Sequence, residues 1–253
     1  MKKITAVYFS PCGTTKTAVC SVAAGLGEMA KEADLTPLSA ASIEISLDAE
    51  DVLLCGVPSF GGRVPLTALE RIKNLHGNGA AAVAVVTYGN RAFDDTFAEL
   101  QDALEAQGFV VVAGVAAVTQ HSIVNQFGAG RPNAEDQTQL QAFGKEIAEK
   151  LTGTPKRAEL PGNRPYLERH GGGLVPMVSD ACKGCGKCVT HCPVGAIPKD
   201  NPKTIDKDLC VSCMGCISVC TQKARSLPEA AIGALTERLG KVCADRKENQ
   251  LFS

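Results

Sequence analysis

The chain has 253 residues, of which 21% are charged and 45% hydrophobic, and its formal net charge is −1. This composition can bury a core and excludes a disordered protein, and the longest apolar runs are too short to cross a bilayer. The N-terminal residues lack the apolar region and cleavage site of a signal peptide. We therefore expect a cytoplasmic protein without a membrane span.

Charge is distributed unevenly along the chain. Residues 1–153 hold 11 Lys and Arg against 17 Asp and Glu, a balance of −6, and residues 154–253 hold 15 against 10, a balance of +5. The basic residues of the second part are scattered, and no aromatic residue lies between Tyr166 and Phe252. Because nucleic-acid sites combine a basic face with rings that stack on bases, we expect no nucleic-acid partner.

The first 151 residues alternate short apolar runs with helix-like stretches. Strands are predicted at Ile4–Phe9, Leu35–Leu38, Val52–Val57, Ala82–Thr87 and Phe109–Val118, and helices at Thr17–Ala33, Leu66–Leu75, Phe93–Gln107 and Ala134–Leu151. Strands and helices that alternate in this way form right-handed βαβ units. The pattern predicts an α/β domain with a doubly wound sheet of five parallel strands over residues 1–151.

Three loops follow predicted strands and meet at the carboxyl edge of the sheet, where ligands of open α/β sheets bind. The first loop leads into a helix whose N-terminal amides can hold an anion, although a simple capped helix start is the alternative. The other two loops contain glycine and aromatic residues, which suit a flat apolar ring. His121, after the last strand, is interpreted as a loop residue. The candidate ligands are Ser10, Cys12, Gly13, Thr14 and Thr15 in the first loop, Pro58, Ser59, Phe60, Gly61 and Gly62 in the second, and Tyr88, Gly89, Asn90, Phe93 and Asp95 in the third.

The remainder of the chain divides into three segments. Residues 152–175 are rich in glycine and proline and are predicted to be a linker. The sequence leaves open whether the parts on either side of this linker touch. A cysteine-rich module follows at 176–227, and residues 228–253 form a tail with helical periodicity over Glu229–Asp245.

Eight of the twelve cysteines lie between Cys182 and Cys220. They form two runs of four, separated by gaps of two, two and three residues, and a shift of 28 residues superposes Cys182 on Cys210 and Cys192 on Cys220. Structural zinc is the alternative, but zinc sites more often use two cysteine pairs than two runs of four. The spacing favours iron–sulfur clusters.

The cysteine module resembles the bacterial two-cluster ferredoxins, and the three loops resemble the flavin-binding loops of flavodoxins. The first resemblance implies that the fourth cysteine of each run ligates the cluster of the other run. It assigns one [4Fe-4S] cluster (cluster 1) to Cys182, Cys185, Cys188 and Cys220, and a second (cluster 2) to Cys210, Cys213, Cys216 and Cys192. The second resemblance implies FMN, with Phe60 and Phe93 stacked on the flavin. Together they indicate a member of the flavodoxin–ferredoxin fusion family.

Such a fusion is expected to pass electrons between FMN, the two clusters and redox partner proteins. Lys183, Lys187, Lys199 and Lys203 are candidates for docking an acidic partner. Two alternatives stay open: a flavin-dependent reductase of a small molecule that the ferredoxin module supplies with electrons, and a redox or iron sensor. The loops carry no evident acid–base constellation and no pyridine-nucleotide motif, so an electron carrier is favoured over an enzyme with its own substrate.

Overall fold

The computed structural model describes residues 2–154, 156–169 and 172–253; Met1, Pro155, His170 and Gly171, the last three in the predicted linker, lie outside these ranges. Among the described residues, none of the helices combines the length and apolar character that crossing a bilayer requires. The elements follow in this order: β1 (Ile4–Tyr8), α1 (Thr14–Leu26), β2 (Met29–Asp34), a 3₁₀ helix (Leu38–Ser42), β3 (Ile45–Ser46), β4 (Val52–Pro58), α2 (Leu66–Ile72), β5 (Leu75–His76), β6 (Ala81–Tyr88), α3 (Thr96–Glu105), β7 (Val110–Val118), α4 (Ala134–Lys150), β8 (Met177–Val178), α5 (Lys187–His191), α6 (Gly215–Ser218), β9 (Arg225–Ser226), α7 (Glu229–Cys243) and β10 (Gln250–Phe252).

A six-stranded sheet forms the centre of the α/β domain, in the order β10-β7-β6-β4-β1-β2. The five strands from β7 to β2 are parallel, and β10 runs antiparallel to β7. Taken in chain order, the parallel strands stand second, first, third, fourth and fifth, which is the flavodoxin-like doubly wound order. The predicted fold class is confirmed, with one additional edge strand that the prediction lacked.

Helices cover both faces of the sheet. On one face, α1 and α4 contribute Val22 and Leu140 to the core. On the other face, α2 and α3 contribute Ile72 and Phe97. Because β4 and β6 are buried on both sides, they have the continuous apolar sequences that made them predictable.

The second strand differs from its prediction. The helix predicted to reach Ala33 ends at Leu26, and β2 lies at Met29–Asp34 instead of Leu35–Leu38. This strand is at the edge of the sheet, pairs with β1 alone and is largely exposed. Since it does not have two buried faces, its sequence lacks the apolar pattern of an inner strand.

The predicted linker is not a free tether in its described part. Residues 156–169 lie as a strap against the α3 side of the sheet, where Leu160 is buried in the core. The Asp95 carboxylate accepts hydrogen bonds from the backbone N–H groups of Asn163 and Leu167, each over 2.7 Å. These contacts fix the strap to the α/β domain.

The cysteine module is connected to the α/β domain at both of its ends. It contains a two-stranded sheet of β8 and β9. After it, α7 packs Leu239 and Cys243 against Val124 and Phe127, in the loop that follows β7. β10 then joins the main sheet, a strand that the predicted helical tail lacks because three residues carry no usable periodicity.

Candidate functional site

A cleft opens at the carboxyl edge of the sheet, where the loops after β1, β4, β6 and β7 meet. Its volume is about 440 Å³, including the part that is open to solvent. Cys213 of the cysteine module forms part of the wall, and the α/β domain forms the rest. The lining residues are Pro11, Cys12, Thr14, Thr15, Pro58, Ser59, Phe60, Thr87, Tyr88, Gly89, Thr119, Gln120, His121, Ser122 and Cys213.

The loop between β1 and α1 presents the start of a helix to the cleft. Gly13 adopts the left-handed conformation just before α1, with φ 84°. Ser10 Oγ accepts a hydrogen bond from the backbone N–H of Lys16 over 2.9 Å, so Ser10 shapes the loop from outside the cleft. Thr14 and Thr15 line the cleft in the first helical turn, whose N–H groups have no acceptor within the helix. This end of the cleft attracts an anion such as phosphate.

Phe60, Tyr88 and Gly89 form the apolar part of the cleft. Phe60 is half-buried and precedes a tight turn in which Gly61 and Gly62 have φ values of 59° and 82°. Those values lie in the left-handed region, where glycine is favoured, so the turn depends on both glycines. Burial raises the pKa of Tyr88, which keeps its phenol neutral.

Several of the predicted ligands do not line the cleft: Ser10, Gly13, Gly61, Gly62, Asn90, Phe93 and Asp95. Asn90 turns towards the tail and donates from its amide to the backbone oxygen of Cys243 over 2.9 Å. Phe93 packs edge-on against Tyr88, and Asp95 holds the strap. The prediction for Asn90, Phe93 and Asp95 is corrected accordingly, because each of these side chains already has a partner in the fold.

The loop after β7 contributes cleft residues that the predicted set omitted, among them His121 and Ser122. The signal was available, since the carboxyl end of every parallel strand reaches the same sheet edge. His121 Nδ1 accepts hydrogen bonds from the backbone N–H groups of Ile123 and Val124, over 3.2 and 3.1 Å. Burial, followed by the nearby Arg91 charge, lowers the pKa of His121. The ring is therefore neutral near pH 7 and carries its proton on Nε2, a hydrogen-bond donor.

The residues of the cleft fit FMN in both its polar and its apolar parts. Helix amides and threonine hydroxyls at one end suit the phosphate, and Phe60 and Tyr88 at the other suit a flat ring. Gly89 lets the His121 ring approach closely, since a Cβ at that position would lie 2.6 Å from His121 Cδ2. His121 is thereby held against the third loop, at the edge of the space available to a ligand.

A second cavity lies inside the cysteine module and measures about 360 Å³, including its open part. Cys192, Cys210, Cys213 and Cys216 line it, together with apolar side chains such as Ile197. These are the four cysteines that the ferredoxin resemblance assigns to cluster 2. In the described ranges, no three His, Cys, Asp or Glu side chains are grouped so that they could hold a single metal ion. Four thiols around one apolar cavity fit a cube in which each thiolate meets a separate iron.

The thiols in this cavity are in a poorly solvated environment. Burial raises the pKa of Cys213 to about 12 and that of Cys216 to about 11. Bound iron offsets this cost, because a metal-coordinated thiol is deprotonated. The Sγ atoms of Cys192 and Cys220 each accept a hydrogen bond from the backbone N–H four residues later, over 3.3 Å. Such bonds stabilise negative charge on sulfur.

The cysteines of the cluster 1 set differ in their exposure to solvent. Cys188 is buried, Cys182 and Cys220 are half-buried, and Cys185 is exposed. None of these four lines the cavity of the cluster 2 set. The cluster 1 set therefore lies nearer to solvent than the cluster 2 set.

The cysteine module docks on the first loop of the cleft. His191 Nε2 donates to the backbone oxygen of Pro11 over 2.7 Å, and the Cys12 thiol donates to the backbone oxygen of Cys213 over 3.5 Å. Burial raises the pKa of Cys12 to about 12, which keeps this thiol protonated. Cys213 lines both the cleft and the cavity of the cluster 2 set.

Arg71 in α2 fastens the same interface. Its side chain is 3% exposed, and it donates to the backbone oxygens of Thr36 over 2.6 Å and of Pro193 over 2.7 Å. A further bond reaches the backbone oxygen of Leu35. Because Pro193 directly follows Cys192, Arg71 ties the α/β domain to the residue next to a cysteine of the cluster 2 set.

Residues 181–224 match a family model described as a 4Fe-4S dicluster domain. The chain is 38% identical over 54 residues to Ferredoxin-2 of Chlorobaculum tepidum, which covers 19% of this chain and 87% of that protein. It is 43% identical over 47 residues to a component of the ion-translocating oxidoreductase complex of Methanosarcina acetivorans, which covers 18% of this chain and 18% of that component. The chain thus spans less than a fifth of the length of the Methanosarcina protein.

Solved structures with similarity to the chain include two flavodoxins. One, from the domain Archaea, has 14% identity and a TM-score of 0.41 over 60% of this chain and 99% of its own. The other, from Megasphaera elsdenii, has 19% identity and a TM-score of 0.38 over 58% of this chain and 98% of its own. The fold of the α/β domain is defined by its own strand order. Because the alignment with Ferredoxin-2 spans most of that protein, the chain belongs to the dicluster ferredoxins through its cysteine module, which it joins to a flavodoxin-like domain in a flavodoxin–ferredoxin fusion.

Proposed function

We propose that the protein carries electrons between FMN in the cleft and two [4Fe-4S] clusters, and exchanges them with redox partner proteins. In this proposal, residues 1–151 hold FMN, residues 176–227 hold the clusters, residues 152–175 connect the two, and residues 228–253 return to the α/β domain. Cluster 1 is ligated by Cys182, Cys185, Cys188 and Cys220, and cluster 2 by Cys192, Cys210, Cys213 and Cys216. Iron–sulfur clusters exchange single electrons, whereas flavin takes one or two, so the pair connects one-electron and two-electron chemistry.

One observation carries this proposal, namely that Cys213 lines both cavities. A cluster bound at Cys213 is the immediate neighbour of a ligand in the cleft. Cys185 is exposed, which places cluster 1 towards solvent. The arrangement supports an electron path that runs from a partner through cluster 1 and cluster 2 to the flavin, or in reverse.

The partner and the compartment follow from the surface and the thiols. Lys183 and Lys187 are exposed beside the cluster 1 cysteines and suit an acidic electron carrier. All twelve cysteines are free thiols, the state that a reducing compartment maintains. A cytoplasmic location is therefore part of the proposal.

The test uses the anaerobically purified full-length protein, after its iron, sulfide and flavin contents have been determined. A low-potential reductant is mixed in a stopped-flow instrument, and cluster and flavin absorbance are followed separately. We expect cluster bleaching followed by flavin reduction at a rate that does not depend on protein concentration. A preparation that binds iron but no flavin, or a flavin that takes no electrons from the clusters, would contradict the proposal. Direct bleaching by NADH or NADPH would favour the flavin-dependent reductase instead.

A further inference from the structure

Arg225 has a buried charge that lacks a full set of partners. The side chain is 3% exposed, and its Nη2 donates to the backbone oxygen of Pro202. Within the described residues, its Nη1 is the buried side-chain nitrogen or oxygen that has no hydrogen-bond partner. A guanidinium carries five N–H donors and a permanent charge, so a buried one without a counter-charge is strongly unfavourable. Such a group indicates a partner that the protein atoms do not supply.

The internal repeat shows what a purely structural residue looks like at this position. The 28-residue shift places Arg225 on Ile197, which is buried and lines the cavity of the cluster 2 set. The two halves of the module thus match in their cysteines but differ here, with an apolar side chain in one half and a cation in the other. Packing alone is satisfied by isoleucine, so the cation in the second half needs a separate explanation.

Arg225 acts on a cysteine of the cluster 2 set. Its positive charge lowers the pKa of Cys216, against the larger opposing effect of burial. Cys216 lines the cavity that fits cluster 2. A [4Fe-4S] cube with four thiolates is an anion, and both its sulfides and its thiolates accept hydrogen bonds. An occupied cavity would therefore supply the counter-charge and the acceptor that Arg225 lacks.

We propose that Arg225 donates a charge-assisted hydrogen bond to cluster 2 and raises its reduction potential above that of cluster 1. Reduction adds one electron to the cluster, and a nearby cation stabilises the more negative reduced form. Since cluster 2 adjoins the cleft, this difference draws electrons that enter at cluster 1 towards the flavin. The inference rests on the proposed function, because it requires both clusters to be present.

The experiment is a redox titration of the cluster-loaded full-length protein, monitored by electron paramagnetic resonance. Arg225→Met removes the charge and keeps an apolar side chain of similar length. Lys223→Met, two residues away and exposed, is the matched control. We expect Arg225→Met to lower the higher of the two potentials by about 60 mV or more, which is tenfold in a one-electron equilibrium constant. Lys223→Met should shift neither potential by that amount, because water and salt screen its charge.

A lysine variant separates the effect of charge from that of packing. Arg225→Lys keeps the charge and loses the planar fork, so its higher potential should stay closer to that of the parent. If it falls as far as in Arg225→Met, charge is not the cause and the inference is overturned. The inference also fails if Arg225→Met leaves both potentials unchanged. Arg225→Gln takes the place of the methionine variant if the latter binds no iron. A parent protein without two clusters by iron and sulfide analysis would instead refute the proposed function.

Discussion

Arg71→Leu removes the guanidinium that joins α2 to the cysteine module. A hydrogen bond that involves a charged group contributes about 1.5–3 kcal/mol. Loss of the bond to the backbone oxygen of Pro193 should therefore raise the equilibrium constant for opening the interface by about 10- to 150-fold. The strap and α7 keep the module close to the cleft, so we expect more frequent opening and not separation.

Hydrogen exchange measures this opening directly. Amides in the peptide that contains Cys12 are covered by the cysteine module, so their exchange reports how often the module lifts away. We expect exchange in this peptide, and in the peptide that contains His191, to accelerate by about the same 10- to 150-fold. Flavin reduction by the clusters should slow in parallel wherever the open form becomes a substantial fraction.

Arg131→Leu is the matched control for this experiment. Arg131 is 6% exposed and pairs with Asp136 at the start of α4, away from the interface. Its replacement should lower the unfolding temperature without accelerating exchange around Cys12. The reasoning is refuted if Arg71→Leu leaves this exchange unchanged, or if Arg131→Leu accelerates it to the same extent.

Three further changes test the tail, the cleft and the thiol at the interface. Asn249→Ala removes an amide that accepts from the backbone N–H of Val118 and donates to Asp136, so urea denaturation should show a free energy of unfolding lower by about 1–3 kcal/mol; an unchanged value would mean that the tail is not anchored there. His121→Gln should weaken FMN binding in a fluorescence titration and leave the iron content unchanged. Because burial lowers the pKa of folded His121, its contribution to stability is constant above about pH 6.5 and declines as the pH falls below that value, where the unfolded chain binds a proton that the folded ring resists; identical pH profiles for parent and variant would contradict this. Cys12, with a pKa of about 12, should resist iodoacetamide at about pH 8 in the folded protein and react after unfolding, whereas rapid native labelling would count against the buried thiol.

The inner strands were predictable because the signal lies in their own residues. β4 and β6 are covered by helices on both faces, so each reads as an unbroken apolar run. β2 is an exposed edge strand, and residues such as Lys31 and Glu32 are equally compatible with a helix. β10 is three residues long and becomes a strand only because the edge of β7 accepts it.

The cleft was predictable where the loop itself supplies the geometry. Gly13 and the threonines after it shape the helix start from within a few residues. Asn90 and Asp95 were assigned to the ligand because their loop follows a strand, yet their side chains are engaged by segments 153 and 68 positions further along the chain. No pattern within the loop records partners at such distances, so their placement outside the cleft could not be read from it.

The sequence by itself determined which chemistry the chain is built for. Cysteine spacing depends on the local geometry of each run, and the glycine and hydroxyl residues of the first loop act within one turn of helix, so both signals are present in short segments. Only the tertiary structure decided that the cluster 2 cysteines, and not those of cluster 1, adjoin the cleft. That choice depends on the bonds from His191 to Pro11 and from Arg71 to Pro193, which join residues 180 and 122 positions apart. Contacts between such distant residues form only when both domains have folded, and no local periodicity encodes them.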